Sequence, residues 1–427
     1  MLRHRTTHLA PDGRRVRRTT AARRAAFLVS VVGVLAVGAL AGCSSSDGGG
    51  GATPPPTGPP APPPETILAL GQRLFDRETF GGNGRTCVTC HMTETGTLTL
   101  DAVAARLAAA PGDPLFLHDG LDGGAVGTSR IVQHATIRVE LQLPPYVTLE
   151  NDPTRRTIIV NRGVPSTMNA PALDGVGLAA FMHDLRNNDL QEQALDAVHG
   201  HAKGTVEPTR EQLDAIAAFE KTDDRFFSSA ALRAHGRGGP QVELPAGSTE
   251  SERRGRLFFL DVAVAGTKQG MCGQCHSGPN LNEISALGNR EVGFPVGAKF
   301  ATALVSETNA NLDPVLTFRV DNGSGDVRLV SLPDPGILLT ERGRSRHLSL
   351  FVSATAHPVL LAGLFKTPSL WGIGRTPPYF HDNSAKSLRA VVDHYADRLF
   401  KQITFGGAFV TLSEQDRQDI VAFLTLL

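Results

Sequence analysis

Two short segments constrain this 427-residue chain more than anything else in it: Cys87-Val88-Thr89-Cys90-His91 and Cys272-Gly273-Gln274-Cys275-His276. Four of the five cysteines fall in these two copies of one pattern. C-x-x-C-H is the attachment signature of c-type haem. Two thiols add across the two vinyl groups of the porphyrin, and the next histidine turns its imidazole onto the iron. Three other readings compete. A zinc ribbon wants its cysteine pairs roughly 15–20 residues apart, and Cys90 and Cys272 stand far beyond that spacing. Two disulfides suit an exported protein but leave the histidine after each pair unexplained. A thioredoxin-like pair needs a βαβ context, which neither flank shows. The pattern therefore points to two covalently bound haem c groups. Cys87, Cys90, His91, Cys272, Cys275 and His276 would hold them, with His91 and His276 on the irons.

The flanks repeat as well. Leu70-Gly71-Gln72-Arg73-Leu74-Phe75 precedes the first motif and Gly255-Arg256-Leu257-Phe258-Phe259 the second, each reading as the end of an amphipathic helix that packs across a haem. Each half closes on a capped helical pattern, one from Thr209 to Phe219 and one opened by Ser413 with apolar residues at Ile420, Val421, Phe423 and Leu424. The expected fold is mainly α: two class I cytochrome c-like domains, residues 65–235 and 250–427, with β-hairpin insertions. One insertion, Ile131 to Arg162, alternates apolar and polar residues around Pro144-Pro145 and reads as a strand pair. The other, Leu316 to Leu339, sets Asn322-Gly323-Ser324-Gly325 between two strand-like runs.

The first 64 residues are of another kind. Eight arginines and a single acid, Asp12, fill positions 1–24; an apolar run follows, then Leu40-Ala41-Gly42-Cys43. Basic n-region, short apolar h-region and small-residue cleavage site make a secretory signal over residues 1–42. L-A-G-C resembles the lipobox of bacterial lipoproteins, with Cys43 as the acylated residue; the plain alternative is nearby cleavage with Cys43 left free. Residues 43–64, rich in Ser, Gly and Pro, read as a disordered tether. The expected location is outside the cytoplasm, in the periplasm or at the cell surface, on a membrane through the lipid anchor. The 42 basic and 42 acidic residues of the full chain balance, but loss of residues 1–42 removes eight Arg and one Asp, leaving a charge near −7. No basic patch argues for nucleic acid.

With these motifs in place the chain resembles the bacterial di-haem cytochrome c peroxidases, including the MauG-type enzymes, from about Thr66 to Leu427. The resemblance is carried by Phe365-Lys366-Thr367-Pro368-Ser369-Leu370, Thr376-Pro377-Pro378-Tyr379-Phe380-His381-Asp382 and Val391-Val392-Asp393-His394-Tyr395. Arg162-Gly163-Val164-Pro165, His183-Asp184-Leu185-Arg186 and Leu190-Gln191-Glu192-Gln193-Ala194 add to it. It implies that the His91 haem reacts with hydrogen peroxide while the His276 haem, with Tyr395 as sixth ligand, stores and relays electrons. A small redox protein or a protein substrate would be the electron donor. Tyr395 is also readable as one more core aromatic. Gln193 matches the family's distal glutamine. The distal acid-base glutamate falls near Lys203, where there is no carboxylate; His199 or His201 are substitutes, or solvated loop histidines. His183 replaces the tryptophan between the haems, and Trp371 stands where an arginine is usual. Two protein ligands of the family's calcium site are matched by Thr376 and Pro378, while the third, an asparagine, is Gly163. The alternative function is an electron-transfer di-haem lipoprotein without peroxidase activity. The His91 haem is expected to be at least partly high-spin, because no obvious second ligand follows it at the usual place; the nearest candidates, His118 and His134, lie in loop or insertion sequence.

Overall fold

Helices begin where the sequence supplies a cap. In the computed structural model, which describes residues 65–116, 129–174, 178, 180–262, 268–310, 313–402, 404 and 409–427, Thr66 accepts the Ala69 N–H and opens α1 (Ile67–Arg77). The first C-x-x-C forms the single turn α2 (Cys87–Cys90). Asp189 caps α3 (Leu190–Gly200), and capping boxes at Thr209 and Thr249 open α4 (Arg210–Thr222) and α5 (Glu250–Leu257). Ser387 caps α6 (Leu388–His394), and a box at Ser413 opens α7 (Glu414–Leu424). Each cap satisfies an otherwise orphaned N–H and is worth roughly 0.5–2 kcal/mol. The leader, Cys43 and the tether lie outside the described residues, as does His118. No helix among the described residues is long and apolar enough to cross a membrane.

The repeat seen in the sequence is a repeat in space. Helix α1 crosses α4 at Gly71, where a Cβ would lie 2.1 Å from the Ala215 carbonyl oxygen and 2.7 Å from Phe219 Cβ. Helix α5 crosses α7 at Gly255 in the same way, 1.9 Å from the Asp419 oxygen and 2.8 Å from Phe423 Cβ. Only glycine permits backbones so close. Beside each crossing sits an aromatic pair: Phe75 and Phe219 at 5.8 Å, Phe259 and Phe423 at 5.1 Å. Each of these rings is almost fully buried, and burying one stabilises by about 1.5–3 kcal/mol. The two halves are not separate bodies, because Pro63–Leu427 clusters as one compact unit.

The β content exceeds the expectation of a mainly helical chain with local hairpins. Helices account for about 40% of the described residues. Strand β1 (Thr136–Gln142) runs antiparallel to β3 (Thr157–Gly163) with Val139 opposite Val160. Between them, β2 (Val147–Leu149) leaves its own insertion. Far along the chain, β4 (Phe300–Ala301) pairs with β7 (Phe365–Lys366), and β5 (Leu316–Asp321) with β6 (Val327–Leu332) across the Asn322–Gly325 turn. Gly323 and Gly325 take φ +81° and +87° there, which the turn requires. The correction lies in β2, which joins β5 to make one sheet of order β2-β5-β6. Val139, Leu141, Val147, Ile158, Phe318 and Val320 share one core. The two insertions bury each other's apolar faces, which a two-stranded hairpin alone could not do.

Candidate functional site

Each C-x-x-C-H folds so that its histidine is fixed before any ligand arrives. The N–H of His91 bonds to the Cys87 carbonyl, and that of His276 to the Cys272 carbonyl. The ring Nδ1 of His91 lies 2.9 Å from the Gly96 oxygen, and that of His276 lies 2.9 Å from the Leu281 oxygen. In both halves the acceptor is the carbonyl five residues on. A carbonyl at Nδ1 selects the tautomer with the proton there and leaves Nε2 free as a metal ligand. Burial lowers the pKa of both rings, that of His276 to about 4, so both stay neutral. Among the described residues the four motif cysteines form no disulfide. Burial pushes the Cys87 thiol well up, and those of Cys272 and Cys275 up to about 12.

All six motif residues open on one cavity of about 410 Å³. Its walls are apolar and come from both halves: Phe75 and Ile216 beside the first motif, Phe259 and Ile420 beside the second. Paired thiols, a neutral imidazole with Nε2 free and an apolar slot beside each form the donor set that covalent haem c requires. The residues fit the group twice. Cys87, Cys90 and His91 would hold one haem, and Cys272, Cys275 and His276 the other.

Gln193 and His201 line this cavity on the side of the first motif, positioned by α3 and its C-cap. His199, the other expected distal residue, is not among the lining residues. It is half-exposed and its Nε2 pairs with Glu207 at 2.9 Å. Two residues apart at a helix end, the imidazoles of His199 and His201 leave the helix in different directions. Lys203 takes φ +54° in the turn that follows and does not line the cavity. Neither does His134, whose carbonyl accepts from Asn383. Tyr395 faces the second motif: it lines the cavity, and Cys275 and Cys272 act on its phenol, which burial pushes up. It starts a π-helical turn, Tyr395–Leu399, that continues α6, a local widening frequent at functional sites. His183 and Trp371 also line the cavity. His183 Nε2 bonds to the Gly163 oxygen at 2.9 Å and Trp371 Nε1 donates to the Pro279 oxygen at 2.9 Å. Next to His183, the His381 ring stacks on Phe365 at 3.8 Å.

Calcium fits less well. Thr376 and Pro378 line the cavity, but the Thr376 hydroxyl donates to the Ile373 oxygen. Gly163 brings no side-chain oxygen, and a Cβ there would meet Asn383 Oδ1 at 2.2 Å. Those residues do not complete the expected ligand set.

The residue that the sequence reading missed is Glu220. It lines the same cavity from α4, is 3% exposed, and its Oε2 is buried without a hydrogen-bond partner. A superposition of the two closing helices would have found it: Phe219 matches Phe423, so Glu220 stands where the second half has Leu424.

Fold and site together define a chain with two C-x-x-C-H motifs, each with the donor set of a haem c site, opening on one cavity. No family model matches the chain. A curated relative, the methylamine utilization protein MauG of Methylorubrum extorquens, is 43% identical over 65 residues, 15% of this chain and 18% of that protein. In that match the chain spans less than a fifth of the relative's length. Similar solved structures include a MauG-like protein associated with microbial copper homeostasis, at 17% identity over 87% of this chain and 92% of that one with TM-score 0.42. Another is the diheme peroxidase BthA from Burkholderia thailandensis, at 16% identity over 85% and 86% with TM-score 0.43. The chain is similar to the MauG-type di-haem peroxidases, as its motifs are.

Proposed function

We propose that this chain is a di-haem c-type cytochrome oxidoreductase that reduces hydrogen peroxide with electrons from a redox protein or a partner protein. The observation that carries the reading is the duplicated motif geometry: two histidines with Nδ1 held by a carbonyl, opening on one shared cavity. When bound, haem supplies an iron that exchanges electrons singly and binds oxygen ligands. The chain's own residues do the rest. Gln193 offers an amide at the first site to orient a small polar substrate, and His201 offers an imidazole that can move a proton between its oxygens. Apolar walls keep bulk water from competing. At the second site Tyr395 would give a hard phenolate to the iron, favouring its oxidised states. His183 and His381, both neutral through burial, lie along the cavity wall.

The protein is further proposed to be exported and held on a membrane through Cys43. Cys43→Ser should release it from the membrane fraction.

The test of the main reading is spectroscopic. The mature protein should carry two covalent haems by pyridine haemochrome assay. Peroxide should change the resting or half-reduced spectrum, and Gln193→Leu should slow that change. A second reading is electron transfer without peroxide chemistry, favoured by Lys203 standing where an acid-base carboxylate is expected and by His199 lying outside the cavity. Two low-spin haems indifferent to peroxide in both redox states would establish it instead.

A further inference from the structure

Glu220 is a carboxyl in the wrong company. It stands on α4 one residue after Phe219, is 3% exposed, and lines the cavity together with Phe75, Ile216 and Cys87. Its Oε2 is fully buried with no partner. Buried polar groups without a partner are rare and call for a reason, and an ionised carboxylate in such surroundings is costly. The second half shows what the fold alone needs here. The crossings at Gly71 and Gly255 align Ala215 with Asp419, Phe219 with Phe423, and therefore Glu220 with Leu424. Leu424 lines the cavity too. Packing is satisfied by leucine, so glutamate at the first site is there for its proton.

We propose that Glu220 is the proton-exchanging group of the first haem site, taking up a proton when the iron held by His91 gains an electron and releasing it when that electron leaves. The proposal rests on the reading that Cys87, Cys90 and His91 hold a haem. The step balances: a one-electron donor reduces the iron, solvent supplies the proton, an O–H bond forms on Glu220, and the net charge of the site is unchanged. In a low-dielectric pocket an uncompensated charge is what makes reduction unfavourable, so the proton removes that cost.

The surroundings leave Glu220 free for this role. Lys221, the next residue on α4, weakly favours its ionised form, and Cys87 of α2, on which Glu220 acts, has no thiol to titrate once bonded to haem. Asp76 of α1 is held by Arg225, and Asp214 of α4 by Gln191 and Arg210. Glu192 of α3 caps Asn188, and Asp196 holds Asn187. The His91 ring answers to burial and to the Gly96 carbonyl. Burial raises the Glu220 pKa to about 8, within reach of neutral pH.

The test uses the holoprotein. The midpoint potential of each haem is measured between about pH 6 and pH 9 for wild type, Glu220→Gln and Glu220→Leu, with haem content checked first. In wild type the first haem's potential should fall as pH rises, approaching a tenfold change in the ferric-to-ferrous ratio per pH unit, about 59 mV for one electron. In both variants that slope should flatten while the second haem is unchanged. Redox difference infrared spectra of wild type should show a protonated-carboxyl C=O band that Glu220→Gln lacks. The same slope in Glu220→Gln, its loss in His201→Gln instead, or a wild-type spectrum without the band would overturn the proposal. Should Glu220→Gln fail to take up haem, the wild-type infrared band decides. A mature protein with no haem on Cys87 and Cys90 overturns both this proposal and the reading beneath it.

Discussion

Arg162 grips Asp334 with two parallel hydrogen bonds, Nε to Oδ2 at 2.7 Å and Nη2 to Oδ1 at 2.9 Å. Its remaining nitrogen reaches Asp184 at 2.7 Å. The guanidinium at the end of β3 is 2% exposed, and it joins the first insertion to the second. Fork-on-fork geometry makes this pair both strong and directional.

Removing one partner leaves a buried charge without compensation. Asp334→Asn is expected to destabilise by about 3–5 kcal/mol, read as a lowered urea midpoint by circular dichroism. Asp184→Asn should also destabilise, and there Arg186, which holds the same carboxylate at 2.8 Å, is left with Asp196 at 3.5 Å. If Asp334→Asn left the midpoint unchanged, the ion pair would not be a structural tie.

The two glycine crossings make a paired prediction. Gly71→Ala and Gly255→Ala each force a Cβ against a carbonyl oxygen of the facing helix, so the helices must separate. Each should cost about 1–3 kcal/mol. Because the crossings lie beside different motifs, Gly71→Ala should loosen haem retention at Cys87 and Cys90, and Gly255→Ala at Cys272 and Cys275. Mass spectrometry of proteolytic fragments would separate the two.

Glu220 also gives a pH dependence of stability. Burial raises its carboxyl from an ordinary 4.5 to about 8. A raised folded-state pKa means the protonated form favours the fold. The contribution is full below about 4.5 and is lost as pH rises through about 8. Wild type should therefore lose denaturant resistance between about pH 5 and pH 9 relative to Glu220→Gln, which carries no proton to lose. Parallel stability curves for the two proteins would contradict this.

Tyr395 offers the redox counterpart. Burial disfavours its phenolate, so ligation of the second iron requires the metal's charge to displace the proton. Tyr395→Met should raise that haem's reduction potential, since a thioether favours reduced iron. Tyr395→Phe should leave the second haem high-spin or open to added ligands. A potentiometric titration reads the first outcome and electron paramagnetic resonance of the ferric protein the second; an unchanged potential and spectrum would return Tyr395 to the role of a core aromatic.

What the sequence by itself determined is what neighbouring residues write locally. The C-x-x-C-H spacing, the Thr209 and Ser413 caps and the Asn322–Gly325 turn are each complete within a few residues, and each folds as read. Tertiary structure alone decided the rest. Strand β2 could pair with β5 only once chain segments some 170 positions apart had met, and no local pattern encodes a partner at that distance. His199 and His201 were indistinguishable in the sequence. One faces Glu207 and the other the cavity because a helix turns each successive side chain by about 100°. Nothing in the sequence around Glu220 sets it apart from the other polar residues of α4. Its isolation is a property of what surrounds it, and burial without a partner exists only after α1, α2 and α4 have packed together.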